Sequence, residues 1–426
     1  MSEPRVVVTG TGLISVLGDS RPTLHEALCR GQRGLRRVEL FDDPALDLPL
    51  AGEITDFDPA AYLGERNFRP LDRTSQLLVS AAKLALDDSR WTTESLGAEA
   101  VGLVVGTTFC SLRTISSFDR RALEEGPSCA SPLDFANTVI NAAAGQTGIW
   151  HGLRGVNSTI SAGATSGLEA IAYAAGLIRE GHARAILAGG VEELCVESLL
   201  AFQRAGLLLT PDGRRSGYPL VWAQPQTGFV LAEGAALLML EEFDAAVARG
   251  APILAEVKGA GARFDCALQR QDDEAAARQR AACVADAVGR ALDEARLDPA
   301  DVDALSASAN GNRIVDQSEA VGWQQVFNGR LRTLPITAVK SMLGESLGAS
   351  AALQAVDVVA ALGDGRWPGI PGFTASGACR PRGSISHHCR RIAVRNCLLT
   401  SVGLDGHCGA LVVGAPVRSE PRRSKL

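Results

Sequence analysis

Lysine is almost missing from this chain: Lys83, Lys258, Lys340 and Lys425 stand against 38 arginines in 426 residues. With its many alanines and glycines, this is the bias of a GC-rich bacterial genome. Tyrosine and methionine occur three times each and aromatics make up 5% of the chain. No two of the ten cysteines have CxxC spacing. They sit in apolar or small-residue contexts, as reduced cytosolic thiols do. No apolar run reaches the roughly 18 residues of a membrane span. The opening MSEPRVVVTG lacks a charged-then-apolar signal pattern, so a cytoplasmic protein is expected. A net charge of -6 and a pI near 5.7 argue against a dedicated nucleic-acid or anionic-membrane binder. A local basic patch for an acidic partner stays open. The terminal Ser-Lys-Leu matches a peroxisomal address, which has no meaning in a bacterium.

Hydrophobic residues make up 46% of the chain and charged residues 21%, enough for a large core. Short apolar runs alternate with Ala-rich helical stretches. Val6–Thr9 reads as a strand ending at Gly10-Thr11-Gly12. Residues 72–90 read as a helix capped by Asp72 or Thr74. Residues 100–105 and 185–187 read as buried strands, 228–240 and 253–257 as paired strands. The second half repeats the alternation: a helix over 273–296, a strand over 302–306, a helix over 347–362, and a closing hairpin of 391–399 with 409–413. This predicts an α/β protein with parallel sheets covered by helices, two halves divided as 1–250 and 251–415, and a polar tail over 416–426.

Most local motifs read as structure. Gly10-Thr11-Gly12 lacks the third glycine of a dinucleotide fingerprint and reads as a turn. His387 and His388, followed by Cys389, point to opposite faces of an extended segment and make a poor chelate. Ser166 in Gly163-Ala164-Thr165-Ser166-Gly167 is out of register for a hydrolase elbow and reads as a helix-start hydroxyl. Lys340 differs. A chain that nearly always uses arginine keeps a compact three-donor ammonium here, with Asp316 or Glu319 as its expected partner. The stretch NSTISAGATSGLEAIAYAAGLI, residues 157–178, reads as strand, tight turn and helix. Every position where a nucleophile would sit carries Ala, Gly, Ser or Thr.

Five ordered segments resemble one family, the carrier-protein-dependent β-ketoacyl synthases of the thiolase superfamily. They are VVVTGTGLIS, RPLDRTSQLLVSAAKLAL, FANTVINAAAGQTGI, GFVLAEGAALLMLEEFDAAVARGAPILAEV and KSMLGESLGASAAL, and the resemblance spans residues 5–415. It implies a thiolase-like, five-layered αβαβα fold of two similar halves. In the family a cysteine at the helix start takes the acyl chain as a thioester. Two histidines then serve decarboxylation and condensation. The family's motifs place Ala164 at the cysteine position, Ser308 at the first histidine and Glu345 at the second. Lys340, Asp316 and Glu319 match a retained polar network. The gating Phe of the closing Gly-Phe-Gly-Gly loop is Leu404, and the stretch PLVWAQPQTG before Gly228 is rewritten.

The resemblance therefore implies a degenerate member, inactive alone and without a cofactor or metal. Members lacking the nucleophile pair with a competent ketosynthase as chain-length factors and act beside an acyl carrier protein. The expected partner contact is residues 131–146 and the strand before Ala164, with Leu133, Phe135, Val139 and Ile140 as apolar anchors and Asn137 and Asn141 bonding across the seam. Phe109, Leu112, Ile115 and Phe118 recur at three-residue spacing and are expected, with Leu404, to wall the acyl or polyene tunnel. Three alternatives stand beside this reading. One is a repurposed enzyme using Glu345, Ser308 and Lys340 in the old pocket. Another is a decarboxylating priming subunit, although both histidines of that class are missing. The last is a structural homodimer.

Overall fold

A computed structural model describes residues 4–40, 50–65, 67–92, 97, 101–209, 218–222, 228–266, 274–373 and 381–416. Its strands are β1 (Val6–Ile14), β2 (Val101–Gly106), β3 (Asn157–Ile160), β4 (Ala185–Glu192), β5 (Gly234–Glu242), β6 (Ala255–Phe264), β7 (Ala304–Ser306), β8 (Pro335–Thr337), β9 (Arg366–Trp367), β10 (Ser384–Ile385), β11 (Arg390–Arg391), β12 (Asn396–Val402) and β13 (His407–Gly414). The principal helices are α1 (Arg21–Cys29), α2 (Arg73–Asp88), α3 (Leu112–Glu124), α4 (Ala142–His151), α5 (Ser166–Arg179), α6 (Val196–Arg204), α7 (Glu274–Ala295), α8 (Arg313–Phe327) and α9 (Ser350–Asp364).

The halves repeat one topology. In the first, the strand order is β3-β2-β4-β5-β1. In the second it is β8-β7-β12-β13-β6, with β10 added outside β8. Taken in chain order, both read 3-2-4-5-1. The orientations match as well. β2 runs parallel to β3 and β4, and β7 runs parallel to β8 and β12. β5 is antiparallel to β4 and β1, and β13 is antiparallel to β12 and β6. The halves join where Val6–Val8 pair antiparallel with Ala255–Val257.

Three apolar clusters stack through the molecule. α5 and α9 share the central cluster with residues of both half-sheets, α2 packs outside the first half, and α7 and α8 pack outside the second. This is the five-layered arrangement. α9 can lie between two sheets because small residues are spread around it: Ser350–Ala361 are all buried. By composition Leu347–Asp364 is long and apolar enough to cross a membrane, against the expectation of no such run, but it is the core helix of the fold.

Two local readings are corrected. Gly10-Thr11-Gly12 is not a turn; β1 runs through it to Ile14. A Cβ on Gly12 would lie 2.0 Å from Ala81 O, and one on Gly10 2.7 Å from Ala85 O, so these glycines let α2 lie directly on the strand. Asp72 caps that helix by accepting from Ser75 N at 2.9 Å. The strands expected to pair, 228–240 and 253–257, instead flank β1 on its two sides. Alternating apolar runs specify strands, but they do not specify neighbours. Ala100 and residues 417–426 of the tail lie outside the described residues.

Candidate active-site pocket

The elbow between β3 and α5 is held by small residues. Gly163 has φ +55°, a left-handed conformation natural to glycine. Thr165 N donates to Ala162 O at 3.1 Å and Ser166 N to Gly163 O at 3.1 Å. Ser166 Oγ accepts from Ala162 N at 2.8 Å and donates to Gly163 O at 2.6 Å. It is thus the hydroxyl that closes the turn. Ala164 presents a methyl group, which has neither a lone pair nor an acidic proton.

Opposite the elbow, a buried polar cluster joins the loop after β7 to the turn after β8. Glu345 is 2% exposed. Its Oε2 accepts from Lys340 Nζ at 2.9 Å and Asn310 Nδ2 at 2.8 Å, and its Oε1 from Ser350 Oγ at 2.7 Å and Leu347 N at 3.1 Å. Lys340 Nζ also reaches Ser308 Oγ at 3.3 Å, and Val402 N donates to that hydroxyl at 2.9 Å. The lysine therefore pairs with Glu345, not with Asp316 or Glu319. Those two carboxylates bind backbone. Glu319 accepts from Ser308 N at 2.6 Å, Ala309 N at 3.1 Å and the Thr400 hydroxyl. Asp316 accepts from Trp222 N at 2.6 Å, Asn310 N at 3.0 Å and Gly311 N at 3.2 Å. Burial pushes Glu319 up to about 8 and Asp316 up to about 6, against the pull of these hydrogen bonds and of the Lys340 charge.

Between elbow and cluster lies a cavity of about 360 Å³. Ala164, Glu345, Phe109 and Leu404 line it, with Phe202, Phe229, Asn310 and Asp405. Its apolar side is a ladder of rings, Phe109 on Phe202 at 6.2 Å and Phe202 on Phe229 at 5.6 Å. Phe109 is held by the buried Glu192, which accepts from Phe109 N at 2.9 Å, Thr108 N at 2.6 Å and Gly348 N at 3.2 Å. Burial pushes Glu192 up to about 7.

Leu112, Ile115 and Phe118 lie on α3, a helix with no buried residue, and Phe118 packs at 5.9 Å against Phe135. Leu133, Phe135, Val139 and Ile140 are exposed at 63%, 62%, 50% and 45%, four large apolar side chains open to solvent within eight residues. Asn141 is exposed beside them. Asn137 turns inward instead, donating to Pro70 O at 2.9 Å. Next to this face α4 packs on β3, the terminal strand of the sheet, hydrogen-bonded to β2 on one side. Sequence reasoning missed Asn310, Phe202, Phe229, Glu192 and Asp405. Of these, only Asp405, standing in a glycine loop, offered a signal.

A two-half, five-layered α/β chain of this topology has the thiolase-like ketosynthase fold. The chain belongs to the β-ketoacyl synthase family: the N-terminal domain of that family matches residues 3–246 and the C-terminal domain residues 254–374. It is 31% identical to 3-oxoacyl-[acyl-carrier-protein] synthase 2 of Vibrio harveyi over 415 residues, 97% of this chain and 99% of that one. Among solved structures it is similar to the ishigamide ketosynthase/chain length factor, with a TM-score of 0.89, 27% identity and 98% and 100% of the two chains covered. A β-ketoacyl synthase from Burkholderia phymatum is similar at a TM-score of 0.87 and 26% identity, with 97% and 100% covered.

Proposed function

We propose that this chain is a non-catalytic, chain-length-setting subunit that pairs with a cysteine-containing ketosynthase and extends acyl or polyene chains carried by acyl carrier protein. The observation that carries the reading is the methyl group of Ala164 at the helix start where the acyl-accepting thiol belongs. The two side chains expected to serve beside it are both engaged. Ser308 Oγ is occupied by Lys340 and Val402, and Glu345 is saturated by four donors. That saturation also weighs against a repurposed enzyme that moves protons through Glu345, since such a group needs an open position for substrate. The apolar face of Leu133, Phe135, Val139 and Ile140 supports a tight partner. Obligate interfaces bury more than about 2,000 Å² and are apolar. The likeness to a protein named a ketosynthase/chain length factor agrees with this. Under this reading the units 1–250 and 251–415 each give half of the relic pocket, Ala164 and Phe109 from one and Glu345 and Leu404 from the other.

The test is coexpression with a cysteine-containing family homologue, followed by size-exclusion chromatography and mass spectrometry of products. The expected result is a one-to-one complex that extends acyl chains, while the isolated chain takes no acyl group from acyl carrier protein. A stable acyl adduct on this chain, or a homodimer that persists beside the coexpressed homologue, overturns the proposal.

A further inference from the structure

The last turn of α1 packs against two segments from the opposite end of the chain. A Cβ on Gly31 would come within 2.9 Å of Pro371 Cγ, and one on Gly369 within 2.6 Å of the His387–His388 peptide. Ile370 N donates to Ser386 O at 2.8 Å and Arg33 to Pro371 O at 3.0 Å. These contacts bring Cys29 and Cys389 to the wall of one cavity of about 430 Å³. Both are free and half-buried, and the Cys389 thiol is among the groups that act on the Cys29 proton. Cys110, Cys195, Cys397 and Cys408, by contrast, are buried. Behind Cys29 the ring of His25 is fixed, with Nδ1 2.6 Å from Asp357 and Nε2 3.2 Å from Asp364, and Nε2 stands 3.6 Å from Cys29 Sγ.

We propose that Cys29 and Cys389 form an oxidant-responsive thiol pair whose disulfide staples α1 to the segment leading into β11. Two thiols on the wall of one cavity, carried by segments that these contacts lock together, can close to the separation a disulfide needs. As part of this proposal Cys29, held against the His25 ring, is the resolving thiol, and the first to react is Cys389. Its sulfur attacks one oxygen of hydrogen peroxide; the O–O bond breaks, a sulfenic acid forms and water leaves. The sulfur of Cys29 then attacks the sulfur of Cys389. The S–OH bond breaks, and the departing hydroxide takes up the Cys29 proton as a second water. Two thiols lose two electrons, and one peroxide becomes two waters. A thiol reductant reverses the bond.

The test uses the full chain, alone or in its complex. It is treated with hydrogen peroxide, its free thiols are blocked with N-ethylmaleimide, and it is digested with trypsin. The expected product is Val6–Arg30 joined to Gly383–Arg390, two hydrogens lighter than the separate peptides and split by dithiothreitol. In Cys29→Ser, Cys389 is expected to stop at the sulfenic acid, which dimedone traps, and in Cys389→Ser the joined peptide is lost. The proposal fails if both peptides return separately with maleimide attached at a peroxide dose that oxidises the exposed Cys129. It fails equally if Cys389 links to a different cysteine in the unaltered chain.

Discussion

The carboxylate of Asp405 occupies the space that a side chain on Gly163 would need: a Cβ there would lie 2.1 Å from Asp405 Oδ2. A Cβ on Gly403 would meet Oδ1 of the same group at 2.2 Å. The acid is wedged between two glycines, beside Ala164 and on the wall of the same cavity. A carboxylate therefore stands beside the elbow, with its Oδ2 also 3.1 Å from His407 Nδ1.

Restoring the nucleophile alone is thus expected to leave the chain inert. In Ala164→Cys the new thiol faces a carboxylate, which raises its pKa. Ala164→Cys with Asp405→Gly removes that charge. Iodoacetamide labelling of position 164 at neutral pH should be roughly tenfold faster in the double variant, the ratio that one pKa unit gives. Under the proposed function neither should condense, because Ser308 and Glu345 are taken to replace both histidines. Equal labelling rates would show that Asp405 does not act on the elbow.

The ion pair of Lys340 with Glu345 is sealed, with side-chain exposures of 1% and 3%. Lys340→Met leaves a buried carboxylate without its cation and should cost about 3–5 kcal/mol in urea unfolding. Lys340→Met with Glu345→Gln should recover part of that loss, since no unpaired charge remains. A double variant as unstable as the sum of the single ones would mean the two groups are not coupled.

Stability should fall between mildly acid and mildly alkaline pH. Glu193 is buried, and desolvation pushes it up to about 8 although Arg113 N donates to it at 2.9 Å. Burial disfavours the charged ring of His25, yet the hydrogen bond and charge of Asp357, with the charge of Asp364, outweigh it and raise its pKa. In both groups the folded protein holds its proton more tightly than the unfolded chain. The associated stability is complete below the unfolded values, about 4.3 for Glu and 6.5 for His. It is lost as pH rises through the folded ones. Glu193→Gln removes one titration. It should flatten the decline and add on the order of 2 kcal/mol at pH 8, read from denaturation midpoints between pH 5 and 9. A steeper decline in that variant would contradict the assignment.

What the residues disclosed in advance follows from how local each signal is. The rarity of lysine exposed Lys340, and motif register picked out Ala164 and Glu345, which line one cavity, and Ser308, which sits beside it on Lys340. The partner of Lys340 was misjudged because five residues separate it from Glu345, and only the Gly344 turn (φ +85°) brings them face to face. The glycines of β1 looked like punctuation, because the helix that needs them is some 70 residues away. Three-residue spacing marked Leu112, Ile115 and Phe118 as one face of a helix, but periodicity does not say what that face looks at. Glu192 was invisible for a similar reason. A carboxylate at a strand end reads as solvated until the backbone N–H groups it collects are seen.

The last prediction concerns how chain length is set. Phe109 is 38% exposed at the mouth of the ring ladder, while Phe229, at its inner end, is 1% exposed. Under the proposed function a growing chain that enters along this wall would meet Phe109 first and Phe202 next. Phe109→Ala removes a ring whose loss the fold tolerates, because much of it already faces solvent. Phe202→Ala opens the interior and should cost about 3 kcal/mol if the space does not collapse. In the reconstituted pair both changes should lengthen the product by one or more extension units. Phe118→Ala should leave product length unchanged and weaken association instead, because its ring packs on the exposed Phe135. Mass spectrometry of the products, with size-exclusion chromatography of each complex, separates the two effects. Longer products from Phe118→Ala alone, or unchanged products from both cavity variants in intact complexes, would take the ruler away from this ladder.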